Sequence, residues 1–478
     1  MNSTQLLVNI QNEMHQFLAA RPLVKRSVEL IKHAGGESFL VGGAVRDILF
    51  ALQFGTSYKL PDIDIEVHNV NIEKLAQVLS TQGHVNYVGK SFGVLKIDHT
   101  DIDWSLPRTD SSGRKPDVTL VPDMGIENAL RRRDVTINAM AINLHTYELI
   151  DPFGGYKDLT NKILRSPDVT FFTQDPLRFY RIMQFIGRFT MQPDNTLQDL
   201  CSSMDIRNVS IERIENEFEK LLLKSTRPSL GIRWLLAIGR LSEILPELND
   251  AVGIPQEPIW HPEGDVFEHS MQALDAAAVL TYKDETEKLI CTYAALCHDL
   301  GKVTTTKLID GKLRSRGHDE AGVPLAHALL KRISTKKQLI KTVGMLVKKH
   351  MQPLLFIRLN AGDAAYRRLA HYLSGYATID MLAKVSLADR RGRNPLGTNP
   401  LSDSIPDIDA FIDKAHKLNI YSQAVEPLLY GRDIVDRIKP GPEMGKVLAY
   451  AYKTQLETGI TDKETLKAYV FKKLKNIS

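Results

Sequence analysis

The spacing of apolar residues changes once along this chain of 478 residues, near residue 155. Before that point, apolar runs of strand length alternate with turns, whereas from about Pro176 onward the spacing is helical almost throughout. The predicted strands are Ser38–Val41, Ile63–Val67, Val94–Asp98 and Asp101–Ser105, and the predicted helices between them are Ala44–Gln53 and Ile72–Gln82. The sequence therefore predicts an α+β fold, in which a mixed α/β head precedes an all-helical remainder.

Length and composition narrow the class of protein further. A chain of this length is expected to form roughly three domains. It has no apolar run of about 18 residues, so no membrane span is predicted. Met1–Arg21 is typical of an amphipathic helix and lacks the pattern of a signal peptide. The three cysteines form no CxxC pair and are interpreted as buried thiols. We therefore expect a cytoplasmic protein, and the sequence leaves its oligomeric state open.

Basic residues are clustered although the net charge is only +4. The clusters are Arg131–Arg133, Lys348–His350, Arg390–Arg393 and Lys472–Lys475. Such clusters suit a polyanion, although each one alone could be a solvated helix face. The polar, glycine-bearing segment Asp110–Lys115 is predicted to be a loop.

A glycine turn between a strand and a helix is the first candidate site. Within Leu40–Asp47, Gly42 and Gly43 allow backbone N–H groups to approach a phosphate, and the helix N-terminus adds positive potential. Arg46 lies in the first turn of that helix and could pair with the same triphosphate. The alternative is an ordinary strand-to-helix connection.

Alternating carboxylates on the next predicted strand form the second candidate site. In Asp62–Val67, the period of two places Asp62 and Asp64 on one face, where like charges repel unless a cation lies between them. Oxygen ligands on a rigid strand suit Mg²⁺. Asp103, on the strand Asp101–Ser105, is a candidate third ligand, and a solvent-facing acidic edge is the alternative. Together with the glycine turn, these aspartates predict metal-assisted nucleotidyl transfer without a covalent enzyme intermediate.

Five ordered motifs carry a resemblance to a known family. They are Val41–Asp47, Asp62–Glu66, Arg132–Met140, Asp151–Gly155 and Asp175–Arg178. In this order they resemble the class II tRNA nucleotidyltransferases, a family that includes bacterial poly(A) polymerases. The resemblance implies addition of C, C and A to the 3′ end of tRNA from CTP and ATP, with Mg²⁺ at the head. It also implies four parts: a polymerase-β-like head (1–160), a helical neck (161–255), an HD-type metal domain (256–395) and a helical RNA-binding tail (396–478).

The same resemblance implies roles for individual residues. Gly43 and Arg46 resemble the triphosphate-binding pair, Asp62 and Asp64 match the metal-binding aspartates, and Arg133 resembles a nucleotide-binding arginine. These roles agree with those inferred from the glycine turn and the acidic strand.

Base selection is predicted to depend on Asp175 and Arg178, which lie three residues apart on a predicted helix. A carboxylate only accepts and a guanidinium only donates, so the pair matches the amino group and acceptors of cytosine and adenine. Uracil and guanine would present a carbonyl to Asp175, a mismatch that should cost several kcal/mol. Arg181, one turn further on, is a further candidate for nucleotide binding, and a surface ion pair is the alternative.

A second metal site is predicted in the helical part. His269, His298, Asp299 and Asp389 match the ligand order of HD-type phosphohydrolases, and two later histidines are spaced to be additional ligands. Those histidines are His318 and His350. Mixed nitrogen and oxygen ligation favours Ni²⁺, Mn²⁺ or Co²⁺ over Mg²⁺. The resemblance implies phosphatase or 2′,3′-cyclic phosphodiesterase activity on RNA ends.

Several functions remain open at this point. A poly(A) polymerase, or an enzyme adding only CC or only A, would use the same head chemistry. A second class of function is a metal phosphohydrolase whose head only binds RNA. A third is a non-enzymatic RNA-binding scaffold, which would need neither of the two predicted groups of metal ligands.

Overall fold

The computed structural model describes residues 3–58, 60, 62–88, 93–110 and 118–475. The strands are β1 (Glu37–Val41), β2 (Ile63–His68), β3 (Val85–Val88), β4 (Val94–Ile97), β5 (Ile102–Ser105), β6 (Arg108–Asp110), β7 (Val118–Leu120), β8 (Ala141–Asn143), β9 (Leu149–Ile150), β10 (Ile163–Leu164), β11 (Gln192–Pro193), β12 (Lys307–Ile309) and β13 (Lys312–Arg314). Of the predicted loop Asp110–Lys115, residues 111–115 lie outside the described part of the chain.

The helices are α1 (Ser3–Ala19), α2 (Pro22–His33), α3 (Gly43–Phe54), α4 (Ile72–Ser80), α5 (Ile126–Arg131), α6 (Gly155–Asn161), α7 (Val169–Thr173), α8 (Leu177–Phe189), α9 (Asn195–Ser203), α10 (Ile211–Lys224), α11 (Ser229–Ala237), α12 (Leu241–Ile244), α13 (Pro246–Asn249), α14 (Val266–Ala278), α15 (Glu285–Cys297), α16 (Lys302–Thr305), α17 (His318–Ile333), α18 (Lys337–Lys349), α19 (Gln352–Arg358), α20 (Asp363–Leu373), α21 (Ile379–Arg391), α22 (Pro406–Lys417), α23 (Gly431–Ile434), α24 (Pro442–Thr458) and α25 (Lys463–Lys475). A 3₁₀ turn spans Thr136–Asn138.

The chain divides into two compact units, Met1–Ser210 and Ile211–Ser478. The first unit contains a seven-stranded sheet in the order β3-β4-β5-β2-β1-β8-β9. Strands β2 and β5 pair in parallel, whereas β1 pairs antiparallel with both β2 and β8. This mixed sheet and its helices confirm the predicted α+β class and the predicted strands and helices of the head.

The register of β2 on β5 positions the acidic residues. Asp64 lies opposite Asp103, and Ile65 lies opposite Trp104. The side chains of Ile63, Ile65 and Trp104 are almost fully buried. Because strand side chains alternate between faces, burying this apolar set turns Asp64 and Asp103 to the opposite face of the sheet.

The second unit is mostly helical, as predicted, and adds the short hairpin β12–β13, while β10 pairs with β11 in the first unit. Helices α14, α15, α17, α18 and α21 pack on one another. Helices α14, α15 and α21 contact one another through a cluster of small side chains that includes Ala276, Ala277 and Ala295, which allows these helices to approach closely. Within the described residues, no helix combines the length and apolar character needed to cross a membrane.

Candidate active sites

A cavity of about 510 Å³ opens beside the glycine turn in the first unit. It is lined by both glycines, six arginines and four acidic residues. The charged lining residues are Arg46, Arg108, Arg132, Arg133, Arg178, Arg181, Asp64, Glu66, Asp134 and Asp175. A surplus of guanidinium groups at a helix N-terminus suits a polyphosphate.

The predicted carboxylates lie near one another, and Asp64 is the one among them that lines this cavity. Although Asp64 is exposed by surface area, partial desolvation raises its pKa, Arg133 opposes the shift, and the negative charges of Asp103 and Asp62 raise the pKa further. Asp62 is exposed and precedes β2, and neither Asp62 nor Asp103 lines the cavity. Asp103 Oδ1 lies 3.3 Å from Lys96 Nζ and accepts no hydrogen bond in the described part of the chain. Clustered oxygen atoms that repel one another fit a divalent cation such as Mg²⁺.

The glycine turn approaches these groups closely. Gly42 has φ +70°, and a Cβ there would lie 3.6 Å from Asp64 Oδ2 and 3.5 Å from Arg133 Nη1. Glycine adopts this conformation without steric cost and leaves the space beside the carboxylate open. Arg133 Nη2 in turn lies 3.2 Å from Glu66 Oε2. The turn, the acidic strand and Arg133 therefore form one site.

A buried chain of hydrogen bonds supports the arginines behind the cavity. Arg46 Nη1 donates to Asn138 Oδ1 at 2.7 Å, and Arg46 Nε donates to Asp47 at 2.8 Å. Asn138 Nδ2 donates to Asp134 Oδ1 at 2.9 Å, and Arg181 Nε donates to Asp134 Oδ2 at 2.6 Å. Although burial opposes ionisation, Arg181 and Asn138 lower the pKa of Asp134 to about 2. Arg46, which is predicted to contact the triphosphate, lines the cavity. Its guanidinium is already fixed by the hydrogen bonds to Asn138 and Asp47.

Replacing Asp134 with asparagine is expected to lower the free energy of unfolding at pH 7 by roughly 2 kcal/mol. The folded-state pKa is about 2, below the ordinary 3.8, so the ionised group contributes stability above the unfolded pKa. That contribution is lost as pH falls toward about 2. Denaturant unfolding of both proteins between pH 7 and pH 3 measures the difference.

The control for this prediction is Asp205→Asn, which alters an exposed pair with Arg207 and should cost less than about 1 kcal/mol. A stability difference between wild type and Asp134→Asn that stayed constant as the pH fell would contradict the assigned network.

The predicted base-reading pair lines the same cavity, but in a different setting from the one expected. Helix α8 begins at Leu177, so Asp175 precedes the helix, and its Oδ1 accepts from Leu177 N at 3.1 Å. Arg178 donates to the carbonyls of Phe171 at 2.8 Å and of Arg132 at 2.5 Å. The guanidinium of Arg178 therefore also fixes the loop that carries Arg132. The base-reading role remains a prediction.

The second unit brings together all six predicted ligands of the HD-type site. His269 Nε2 lies 3.1 Å from His298 Nε2 and 3.2 Å from Asp389 Oδ1. His318 Nε2 lies 3.2 Å from His350 Nε2. All but His318 are almost completely buried.

Asp299 lies between these two groups. Its Oδ2 is 3.4 Å from His269 Nε2 and 3.3 Å from His298 Nε2. Its Oδ1 is 3.3 Å from His318 Nε2 and 3.8 Å from His350 Nε2. One carboxylate thus faces two pairs of imidazoles, an arrangement that suits two neighbouring metal ions.

The tautomers of the histidines provide a physical test of the fit to metal. The Nδ1 atoms of His298, His318 and His350 each lie 2.7 Å from a backbone carbonyl, which can only accept. In the neutral ring the proton is then on Nδ1, and the Nε2 lone pair faces the other lone pairs of the cluster. Asp299 Oδ1 is also buried without a hydrogen-bond donor among the described residues. A cluster of facing acceptors fits one or more cations, and this set of residues fits a divalent metal.

Three residues around this centre were not predicted as functional. Glu263 Oε1 lies 2.6 Å from His269 Nδ1, and the pKa of Glu263 is lowered to about 2 because hydrogen bonds from His261 and His269 outweigh its burial. Lys302 Nζ lies 2.6 Å from Asp299 Oδ2, and Arg393 Nη2 lies 2.6 Å from Asp389 Oδ1. The sequence signal was the i,i+3 and i,i+4 spacing of the last two from their aspartates.

Three family models match parts of the chain. Residues 38–165 match the poly A polymerase head domain, and residues 266–390 match the HD domain. Residues 191–252 match the probable RNA and SrmB-binding site of polymerase A. The first match includes Asp62, Asp64 and Asp103, and the second includes all six predicted ligands of the HD-type site.

Solved structures share the fold at low sequence identity. The Bacillus stearothermophilus CCA-adding enzyme in complex with CTP is 18% identical, has a TM-score of 0.64 and covers 95% of this chain and 98% of its own. The Thermotoga maritima CCA-adding enzyme complexed with tRNA is 20% identical, has a TM-score of 0.55 and covers 95% and 98%. A CCA-adding enzyme with ATP is 20% identical, has a TM-score of 0.59 and covers 96% of each chain.

Curated relatives are more similar in sequence. The multifunctional CCA protein of Hahella chejuensis is 34% identical over 312 residues, which are 63% of this chain and 69% of the relative. That of Tolumonas auensis is 35% identical over 307 residues, which are 62% and 70% of the two chains. By this similarity, the chain belongs to the family of the multifunctional CCA proteins.

Proposed function

We propose that the head adds C, C and A without a template to the 3′ end of tRNA, using CTP and ATP and releasing pyrophosphate. The observation that carries this proposal is the register of Asp64 opposite Asp103 beside the turn at Gly42 and the arginine-lined cavity. The similarity to multifunctional CCA proteins, and to CCA-adding enzymes solved in complex with CTP, ATP and tRNA, supports it.

In the proposed reaction, the 3′-hydroxyl oxygen of the RNA loses its proton to solvent and bonds to the α-phosphorus of the nucleotide, and the bond from that phosphorus to the pyrophosphate oxygen breaks. Asp62, Asp64 and Asp103 would hold Mg²⁺, which lowers the pKa of a bound hydroxyl and neutralises the triphosphate. The backbone at Gly42 and Gly43 would cradle phosphate oxygens. The surrounding guanidinium groups would orient the triphosphate by charge-assisted hydrogen bonds; these are Arg46, Arg133 and Arg181.

Base selection is assigned to Asp175 and Arg178 in this proposal. Both line the cavity, and each already has a hydrogen bond to the backbone that limits its movement. A fixed acceptor beside a fixed donor accepts the edges of cytosine and adenine and leaves Asp175 unpaired opposite uracil or guanine. A rigid pair can thus discriminate bases without a template strand.

Product analysis tests this function. The substrate is a tRNA lacking its last three nucleotides, supplied with all four nucleoside triphosphates and Mg²⁺. We expect three additions in the order C, C, A, with no UTP or GTP incorporated. A long A tail, a stop after CC, or addition of A alone would identify one of the alternative activities.

The same assay on Asp175→Ala is expected to admit UTP and GTP at rates approaching those of CTP and ATP, because the acceptor that rejects their carbonyl is removed. Asp199→Ala, an exposed aspartate on α9, is the control and should leave selectivity unchanged. Selectivity that survived in Asp175→Ala would overturn the base-reading assignment.

We propose that the HD-type centre has a second activity. This activity is the hydrolysis of phosphate esters at RNA ends, including 2′,3′-cyclic phosphates. The two groups of nitrogen and oxygen ligands sharing Asp299 favour it. Ni²⁺, Mn²⁺ or Co²⁺ held there would activate water for attack on phosphorus. Lys302 and Arg393 would keep Asp299 and Asp389 ionised and oriented.

The helical tail is proposed to hold tRNA by shape and phosphate, and the cytoplasmic location remains a prediction.

A further inference from the structure

An exposed tryptophan lies at the edge of the HD-type centre. Trp260 is 54% exposed and lines the cavity of about 250 Å³ that contains Asp299 and Asp389. It also lines an adjoining cavity of about 680 Å³, bounded by the hairpin residues Lys312 and Arg314. A large indole left open to solvent beside a cavity that charged residues line is typical of a ligand contact.

The position of Trp260 is fixed relative to the proposed metal ligands. Arg393 donates from Nη1 to the carbonyl of Trp260 at 3.2 Å and from Nη2 to Asp389 Oδ1 at 2.6 Å. The guanidinium carbon of Arg358 lies 5.7 Å from the centre of the indole ring. Arg393 thus ties the backbone of Trp260 to the Asp389 carboxylate, while the indole itself lies next to Arg358.

Two further arginines line the same cavity without acidic partners. Arg358 and Arg390 form no ion pair in the described part of the chain, whereas Arg393 pairs with Asp389. Arg390 Nε is buried without a hydrogen-bond acceptor among the described residues. Guanidinium groups that form no close ion pair at the wall of this cavity suit an anionic ligand that reaches both.

We infer that Trp260 stacks on the nucleobase of a ribonucleotide at an RNA 3′ end, while Arg358 and Arg390 bind its phosphates. This inference rests on the proposed phosphohydrolase activity and adds the side chains that bind the base and the phosphates at that site. A flat aromatic ring next to cationic side chains binds any base by stacking, so the site reads a nucleotide without reading its sequence. A phosphate ester without a base would make only half of these contacts.

Tryptophan fluorescence measures this stacking directly. The chain has three tryptophans, and Trp104 and Trp234 are 0% and 6% exposed. Adenosine 2′-monophosphate, added in EDTA to prevent turnover, is expected to quench the emission of Trp260. The quench should be absent in Trp260→Phe and unaltered in Ile259→Ala, a neighbouring exposed residue that lines neither cavity. A quench that persisted in Trp260→Phe would overturn the inference.

Hydrolysis by the metal-loaded enzyme provides the second measurement. In Trp260→Ala the KM for adenosine 2′-monophosphate is expected to rise about 10-fold or more, the range of one lost stacking contact. The KM for glycerol 2-phosphate, which has no base, should rise far less. In Arg390→Gln the KM should rise for both esters, because both carry the phosphate.

The outcomes separate this inference from the activity on which it rests. If wild-type protein hydrolysed neither ester but the quench were observed, the phosphohydrolase proposal would fail and the nucleotide site would stand. If Trp260→Ala raised the KM of both esters equally, or of neither, base stacking would be refuted while hydrolysis stood. Trp260→Phe, which keeps an aromatic ring, should retain most of the affinity for the nucleotide, and a loss as large as that of Trp260→Ala would also refute stacking.

Discussion

Replacing Asp64 with asparagine is expected to reduce nucleotide addition by about 10³-fold or more while phosphatase activity is retained. Asparagine keeps the shape of the side chain and its place opposite Asp103, but it removes the negative charge proposed to hold Mg²⁺. The measurement is single-turnover incorporation of CTP into tRNA lacking its 3′ end, with hydrolysis of a phosphate ester assayed on the same preparation.

Stability gives an independent measurement on the same variant. Although Asp64 is exposed by surface area, partial desolvation and the neighbouring carboxylates raise its pKa, so its ionised form destabilises the metal-free fold slightly at pH 7. Asp64→Asn should therefore unfold at the same temperature as wild type in EDTA, or at a higher one. Asp101→Asn, an exposed aspartate just before β5, is the matched control and should keep full activity. Wild-type incorporation by Asp64→Asn would refute the proposed role of this residue.

Replacing Asp299 with asparagine is expected to abolish hydrolysis and to remove most of the bound metal from the second unit. Asp299 is the one proposed ligand whose two oxygens face different histidine pairs, Oδ2 toward His269 and His298 and Oδ1 toward His318 and His350. Losing its charge should weaken both positions together, because a neutral amide is a poorer ligand than a carboxylate. Metal content after dialysis against Mn²⁺ or Ni²⁺ measures the effect.

The number of metal ions bound per HD centre tests this prediction more closely. We expect two ions per HD centre in the wild type, one in His318→Ala, and fewer than one in Asp299→Asn. Glu320→Gln changes a carboxylate that is 70% exposed and bound to Lys348, and it should keep both ions. Because the head has its own proposed Mg²⁺ ligands, CTP incorporation should remain in all three variants. One ion in the wild type, or two in Asp299→Asn, would contradict the shared-carboxylate arrangement.

Much of the head could be predicted because its signals are local. The strict alternation in Asp62–Val67 identifies both the strand and its acidic face, and glycines at 42 and 43 identify a turn before a helix. Asp103 could be proposed as a partner of Asp64 only because both aspartates alternate with apolar residues on a predicted strand. Their pairing in one register depends on contacts between segments some 40 residues apart, which no local spacing reveals.

Other parts of the sites depend on tertiary contacts and were missed or misplaced. Asp175 was expected on a helix, but α8 begins at Leu177 and the Asp175 carboxylate accepts a hydrogen bond from Leu177 N. Glu263 lies next to His269 only because a turn folds back onto α14. Trp260 has no periodicity to mark it, and its exposure is a property of the folded surface.

The pairing of β2 with β5 determines how mutations in this part of the head should affect the enzyme. Shifting either strand by one residue would turn Trp104 outward and force Asp103 into the apolar interior, which folding cannot tolerate. A well-folded head with its two aspartates out of alignment is therefore not an accessible state. Mutations that loosen this region should lower the amount of folded enzyme while each surviving molecule keeps its full turnover rate.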